Sequence, residues 1–164
     1  MEGIIDAHHH IWRVNDLGWL KGPIQPRIFG DYQAIKRDYL IEDFKKDLEG
    51  SGVEKSVYIQ VNWPPKKELL EAEWVQSVSE TAGWPHAFVG YVDFTTEDAK
   101  TTLEKLGAFP LMRGIRQQLH WHQNPQYCFQ STPDLMNQTT WQNNFSNIQN
   151  YGWSFELQVF TSQM

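Results

Sequence analysis

Short apolar stretches alternate with amphipathic ones along the chain, and this alternation predicts strands that alternate with helices. Stretches rich in β-branched and aromatic residues, bounded by turn residues, predict five strands, over residues 4–10, 53–61, 87–94, 112–119 and 154–160. Apolar residues at helical spacing predict four helices between them, over residues 40–49, 65–81, 96–106 and 141–150. This order favours a parallel sheet with right-handed crossovers.

Within these strands, polar side chains recur at every second position and therefore share one side of the sheet. The sets are Asp6, His8 and His10 in the first strand, Tyr58, Gln60 and Asn62 in the second, and Gly114, Arg116 and Gln118 in the fourth. If helices cover the aliphatic sides, the polar sides converge near the strands' carboxyl ends, where a (β/α)8 barrel has its active site. The alternative is an antiparallel sheet with its polar face in water, which the intervening helices disfavour.

Chain length decides how much of a barrel is present. A typical barrel needs about 250 residues for eight units, so five units need about 156, close to the 164 of this chain. We therefore predict an α/β fold, a truncated (β/α)8 TIM barrel of about the first five strands with their helices. We expect it to form one domain over residues 1–164, incomplete at its C-terminus.

A rival fold, the five-stranded doubly wound sheet, fits the same length without truncation. That fold binds phosphate-bearing ligands at a glycine-rich turn after its first strand. Here the turn is His8-His9-His10-Ile11-Trp12 and contains no glycine, so the barrel is preferred.

Residues 13–39 form a long irregular stretch after the first strand, and such stretches are often functional. Two interpretations remain open, part of a substrate mouth or an ordinary surface excursion. Trp12, Trp19 and Trp63 are candidates for lining the mouth, although tryptophan is more often a core residue.

Charge and composition limit the classes of partner that the chain can bind. The chain has 14 basic and 20 acidic residues and a net charge of −6, which argues against binding to nucleic acid or to an anionic membrane. We expect no secretory signal, because the first five residues lack a basic segment and a long apolar one, and no apolar run in the sequence approaches the ~18 residues of a membrane span. Cys128 is the single cysteine, as expected of a thiol in a reducing compartment. We expect a cytoplasmic protein.

The sharpest chemical feature is the run Asp6-Ala7-His8-His9-His10. Two histidines at i and i+2 on a strand project from the same face, close enough to share one divalent ion. His8 and His10 are therefore the candidate metal ligands, with Asp6 a candidate acceptor that orients one ring.

The segment from Ile4 to Trp12 resembles the first-strand signature of the amidohydrolase superfamily. The nearest branch is similar to the amidohydrolase-related lactonases, which include sugar-acid lactonases and pyrone-dicarboxylate lactonase. The resemblance continues through Val57-Tyr58-Ile59-Gln60-Val61, Arg113-Gly114-Ile115-Arg116-Gln117, His120-Trp121-His122, Asn124-Pro125 and Phe155-Glu156-Leu157-Gln158-Val159.

The resemblance implies a barrel hydrolase that opens a lactone of a sugar acid or a similar carboxylate-bearing substrate, with His8 and His10 in the catalytic centre. Some family members use a divalent ion such as zinc and some use none, so the cofactor stays open. The family also uses a histidine from a sixth strand and an aspartate, the usual general base, from an eighth. Neither strand is among the five predicted here. The alternative is a catalytically incomplete fragment that acts as an interaction or metal-binding module and self-associates through open sheet edges.

Four further residues are candidate substrate contacts. Arg116 could bind a substrate carboxylate through paired hydrogen bonds, or form a structural ion pair with Glu156. His120 and His122 could bind or polarise the substrate, or be merely exposed loop residues. Gln60 could bond a ligand hydroxyl, or bond only within the barrel interior.

Overall fold

Five parallel strands form one sheet in the computed structural model, which describes residues 3–164. The strands pair in sequence order and are β1 Ile4–His9, β2 Val53–Ile59, β3 Ala87–Gly90, β4 Met112–Gln118 and β5 Ser154–Gln158. All five predicted strands are confirmed. Each ends one to four residues earlier than predicted, because the chain leaves the sheet at the carboxyl ends to form the loops described below.

The helices are α1 Gly18–Lys21, α2 Ile41–Asp47, α3 Glu68–Ala82, α4 Ala99–Leu106 and α5 Thr139–Phe145. Four of them confirm the predicted helices, while α1 is a short helix inside the stretch predicted to be irregular. Gly83 ends α3 with a φ of 73°, a left-handed conformation that glycine adopts without steric cost.

The order of the strands distinguishes the two candidate folds. A doubly wound sheet reverses its strand order at a switch point, whereas this sheet runs β1-β2-β3-β4-β5 without a reversal. The five strands form a curled half-barrel with helices in the connections, which confirms the α/β barrel prediction and excludes the doubly wound rival.

The apolar core lies between the sheet and the helices. His9 stacks on Phe44 of α2 with ring centroids 3.9 Å apart, and Phe155 of β5 contacts Trp141 and Phe145 of α5. One expectation about strand faces was wrong. Tyr58 lies on the helix side of β2, because its hydroxyl donates a hydrogen bond to Glu71 of α3.

Residues 13–39 form a loop that is closed at its base. Trp12 and Tyr39 exchange two backbone hydrogen bonds of 2.7 and 2.9 Å, and the indole of Trp19 donates to the carbonyl of Val61 at 3.0 Å. The loop is thereby held against the carboxyl end of β2. Across residues 3–164, no helix combines the length and apolar character that a membrane crossing requires.

Candidate functional site

A cavity of about 810 Å³ opens at the carboxyl ends of the strands. The strands and the residues that directly follow them contribute His8, His10, Gln60, Arg116, Gln118 and Gln158 to its wall. The loop after β1 contributes Trp19, Arg27 and Phe29, and Trp12 and Trp63 complete the aromatic part. The loop is thus part of the mouth, and the three tryptophans predicted to line it do so.

His8 and His10 meet in this cavity as their spacing predicts. Their Nε2 atoms are 3.3 Å apart. The Nδ1–H of His10 donates to the carbonyl of Ile59 at 2.8 Å, so in the neutral ring the lone pair is on Nε2 and faces His8. Burial, opposed by that bond and assisted by the nearby Arg116 cation, lowers the pKa of His10 to about 4. His10 is therefore neutral at physiological pH.

The other polar residues of β1 do not serve the pair in the way expected. Asp6 was predicted to orient an imidazole ring, but its carboxylate accepts from the backbone N–H of His8 at 3.0 Å. A local turn bond of this kind outcompetes the longer reach to a ring. His9 faces the helix layer, where its Nε2 contacts the hydroxyl of Ser56 at 3.0 Å.

Arg116 joins the histidines from across the half-barrel. Its Nη1 lies 3.4 Å from Nε2 of His8, and its Nη2 donates to the carbonyl of Gln60. Its Nε is buried and has no hydrogen-bond partner in the described structure. Burial lowers the pKa of Arg116, and Glu156 and Glu71 act in the opposite direction. The single ion pair within residues 3–164 is Arg13–Asp16, so the alternative contact with Glu156 is not formed.

Gln60 presents a free donor at the cavity wall. Its Oε1 accepts the backbone N–H of Asn62 at 2.6 Å, which fixes the orientation of the amide. Its Nε2 is buried without a partner in the described structure, and an unmade buried hydrogen bond costs free energy. A ligand oxygen would satisfy it.

His120 stands apart from this group. Its ring lies between Phe129 and Phe160, with centroid distances of 5.1 and 5.3 Å, and it is not part of the cavity wall. Burial, assisted by Arg116, lowers its pKa. Its role in substrate binding stays a prediction.

Arg27 is a site residue that sequence reasoning missed. Its guanidinium carbon lies 5.9 Å from the centre of the Trp19 ring, and its buried Nε has no partner among the described residues. The irregular loop has no periodicity that would single it out. With Arg27 and Arg116, the described wall contains two arginines and no aspartate or glutamate, which makes it electropositive in a chain of net charge −6.

The histidine pair suits a metal ion as part of a donor set. In a tetrahedral zinc site with Zn–N bonds of about 2.0–2.1 Å, two nitrogens are about 3.4 Å apart, close to the 3.3 Å found here. Within residues 3–164, no group of three or more His, Cys, Asp or Glu side chains could hold an ion. Among the described residues, the Nε2 atoms of His8 and His10 could therefore supply two of the four ligands of a tetrahedral site, which is not a complete donor set.

Comparison with known sequences gives a family. The sequence model of the amidohydrolase family matches residues 5–164. The uncharacterized protein y4mH of Sinorhizobium fredii is 34% identical over 98% of this chain and 55% of its own length. An L-fucono-1,5-lactonase of Burkholderia ambifaria is 32% identical over 70% of this chain and 36% of its own length.

Solved structures agree on the fold. An amidohydrolase from Burkholderia multivorans with bound zinc superposes with a TM-score of 0.71 at 18% identity, over 97% of this chain and 50% of its own. A probable 2-pyrone-4,6-dicarboxylic acid hydrolase from Acinetobacter baumannii with citric acid bound gives 0.61 at 18%, over 93% and 48%. The chain spans about half the length of these proteins or less. By its sequence, the chain belongs to the amidohydrolase family.

Proposed function

We propose that this chain carries part of a hydrolase site that opens a lactone of a sugar acid or a similar carboxylate-bearing acid. The observation that supports it is the convergence of His8, His10 and Arg116 on one cavity. The lactonase relative and the pyrone-dicarboxylate hydrolase neighbour support the class of substrate.

In this reaction water adds to the lactone carbonyl, the ring C–O bond breaks and a hydroxy acid is released. His10 is suited to bind an electrophile at Nε2, because its Nδ1–H is committed to Ile59 and the lone pair is on Nε2. A divalent ion held by His8 and His10 would polarise the carbonyl and acidify a bound water. The described lining of the cavity contains no Asp or Glu, so the described residues supply no carboxylate as general base for the attacking water.

The two arginines of the cavity wall favour a substrate with a negative charge. Arg116 and Arg27 have no carboxylate partner among the described residues, and a guanidinium pairs with a carboxylate by two parallel hydrogen bonds. The free Nε2–H of Gln60 is suited to a hydroxyl or ring oxygen of the same ligand. An acid with hydroxyl groups meets both requirements.

The test is acid release from sugar-acid lactones, followed at constant pH with zinc and with a chelator. We expect hydrolysis that His8→Ala and His10→Ala abolish, while His122→Ala, which removes an exposed imidazole outside the cavity wall, has no effect. Unchanged hydrolysis in both cavity variants would refute the assignment.

A second candidate, which the short Nε2 separation favours, is a metal-binding module without hydrolytic activity. It predicts zinc binding that depends on His8 and His10, with no turnover of any lactone. Lactone turnover by the unmodified chain distinguishes it from the hydrolase, because both candidates predict the same loss of zinc binding in the two variants.

We also propose self-association through the open edges of the sheet. In the described structure β1 and β5 each have one neighbouring strand, and unpaired strand edges attract further strands.

The free thiol of Cys128 supports a reducing location, which we propose to be the cytoplasm.

A further inference from the structure

A buried carboxylate lies behind the carboxyl end of β2, where the carbonyl of Gln60 accepts a hydrogen bond from Arg116. Glu71 of α3 is fully buried. Its Oε1 accepts two hydrogen bonds, from the hydroxyl of Tyr58 at 2.8 Å and from the backbone N–H of Val61 at 2.9 Å. Its Oε2 is buried and has no partner in the described structure. Nothing in the proposed reaction uses this group.

Glu71 and Arg116 bind the two ends of one peptide group. The carbonyl of Gln60 accepts from Nη2 of Arg116, and the N–H of the same peptide, on Val61, donates to Glu71. A cation, a peptide dipole and an anion therefore lie in series. Hydrogen bonds in such a chain polarise one another and strengthen together.

We propose that Glu71 is the counter-charge and positioning residue of Arg116, acting through the Gln60–Val61 peptide. Because the anion lies behind the strand, it holds the guanidinium in place without occupying the cavity. The face of Arg116 toward the cavity stays available for an anionic ligand. That last consequence rests on the proposed function, whereas the coupling itself does not.

A purely structural role would not call for a carboxylate here. A buried carboxylate loses its hydration, and a neutral amide of the same shape would accept the same two bonds through its oxygen. Burial raises the pKa of Glu71 to about 7, against the opposing influence of its two hydrogen bonds and Arg116. Burial therefore disfavours the charged form of Glu71, and the coupling to Arg116 gives a reason for a carboxylate at this position.

The test uses NMR at pH 8 on the full chain without ligand. In Arg116→Met, we expect the Val61 amide proton to move upfield although its own partner Glu71 is untouched. In Glu71→Gln, which is isosteric, we expect the Nη1 and Nη2 signals of Arg116 to coalesce as the guanidinium rotates more freely. Glu73→Gln removes the same charge from an exposed position of α3 and should change neither signal.

Urea unfolding of the two variants and their combination gives a second measurement. We expect the combined change in the unfolding constant to differ from the product of the single changes by about fivefold or more. The proposal would be overturned if the Arg116 signals were unchanged in Glu71→Gln and the effects of the two substitutions on the unfolding constant simply multiplied. The NMR measurement on Glu71→Gln can be made even if Arg116→Met does not fold. Because no ligand or turnover enters, this failure is distinct from a failure of lactone hydrolysis.

Discussion

The Nε2 atoms of His8 and His10 lie 3.3 Å apart on the cavity side of β1, with the lone pair of His10 directed at its neighbour. The spacing i, i+2 on a strand places both rings on one face. The hydrogen bond from Nδ1 of His10 to Ile59 on the adjacent strand then selects the tautomer. Residues of both β1 and β2 are thus needed to direct the Nε2 lone pair of His10 into the cavity.

Replacement of either histidine should weaken zinc binding. Loss of a ligand costs at least as much as loss of an outer hydrogen bond, which is typically about 10–100-fold in affinity. We expect at least a tenfold loss in His8→Ala and His10→Ala, measured by competition with a chromophoric chelator. His122→Ala is the matched control, and wild-type affinity in both cavity variants would contradict a role for the pair in metal binding.

The two cavity arginines should bind an anion. Citrate is the probe, since the structural neighbour from Acinetobacter baumannii holds citric acid. We expect calorimetry to show binding that weakens with salt, as charge pairing requires, and that falls in Arg27→Met and in Arg116→Met by about tenfold, a charged hydrogen bond being worth roughly 1.5–3 kcal/mol.

The control for this experiment is Arg113→Met. Arg113 lies in the same strand as Arg116 but is exposed and bonds to the carbonyls of Pro110 and Met112. If this variant lost as much affinity as the cavity variants, net charge rather than the cavity would explain the binding.

The sequence carried enough information to predict that the strands exist, because each is a short stretch with β-branched or aromatic residues between turn residues, but it did not give their carboxyl ends. The position of His8, His10 and Arg116 followed from the alternation of side chains in β1 and β4. Tyr58 did not follow the same rule, because a carboxylate in α3 gives its hydroxyl a partner on the helix side. Alternation assigns faces only when a polar group has no partner within the helix layer.

Arg27 and Glu71 could not be found from the sequence for a different reason. Arg27 lies in a loop whose path is set by tertiary contacts such as the Trp19–Val61 hydrogen bond. Glu71 occupies a helix position that would ordinarily be apolar, and its burial depends on Tyr58 and Val61, which are 13 and 10 residues away in the chain. Neither contact leaves a local sequence signal.

Glu71 should make the protein less stable as the pH rises. Its pKa is raised from 4.5 to about 7 in the folded chain, so the folded state holds this proton more tightly than the unfolded state does. The contribution is fully present below pH 4.5 and is lost as the pH rises through about 7, with a total of about 3 kcal/mol.

Urea unfolding of the wild type and Glu71→Gln between pH 5 and pH 8 tests this. The lowered pKa of His9 and of His10 makes stability rise with pH between about 4 and 6.5, but both are present in each protein and cancel in the difference. We expect the stability of the wild type relative to Glu71→Gln to fall with pH. A difference that stays constant would refute the burial of an ionisable Glu71.

Gly114 should not tolerate a side chain. A Cβ at this position would overlap Oγ of Ser154 and lie 2.9 Å from the backbone oxygen of the same residue, so β4 and β5 would have to separate. Gly114→Ala should lower the free energy of unfolding by about 1–3 kcal/mol, the usual cost of overpacking. Gly18→Ala has no atom within 4 Å to meet and is the control. Equal stability of the two variants would show that the strands can adjust.

The edge strands should drive self-association, and charge on them should reduce it. Ile5 of β1 is 59% exposed and Leu157 of β5 is 54% exposed, so each edge presents an apolar side chain beside unpaired backbone groups. Lysine at an edge opposes strand pairing. We expect light scattering after size exclusion to show larger, concentration-dependent species for the wild type and smaller ones for Ile5→Lys and Leu157→Lys.

Leu70→Lys is the control. It places the same charge on the surface of α3, where Leu70 is 43% exposed, and should leave the size distribution unchanged. If Leu70→Lys dispersed the species as well as the edge variants did, general charge repulsion and not strand pairing would account for the association.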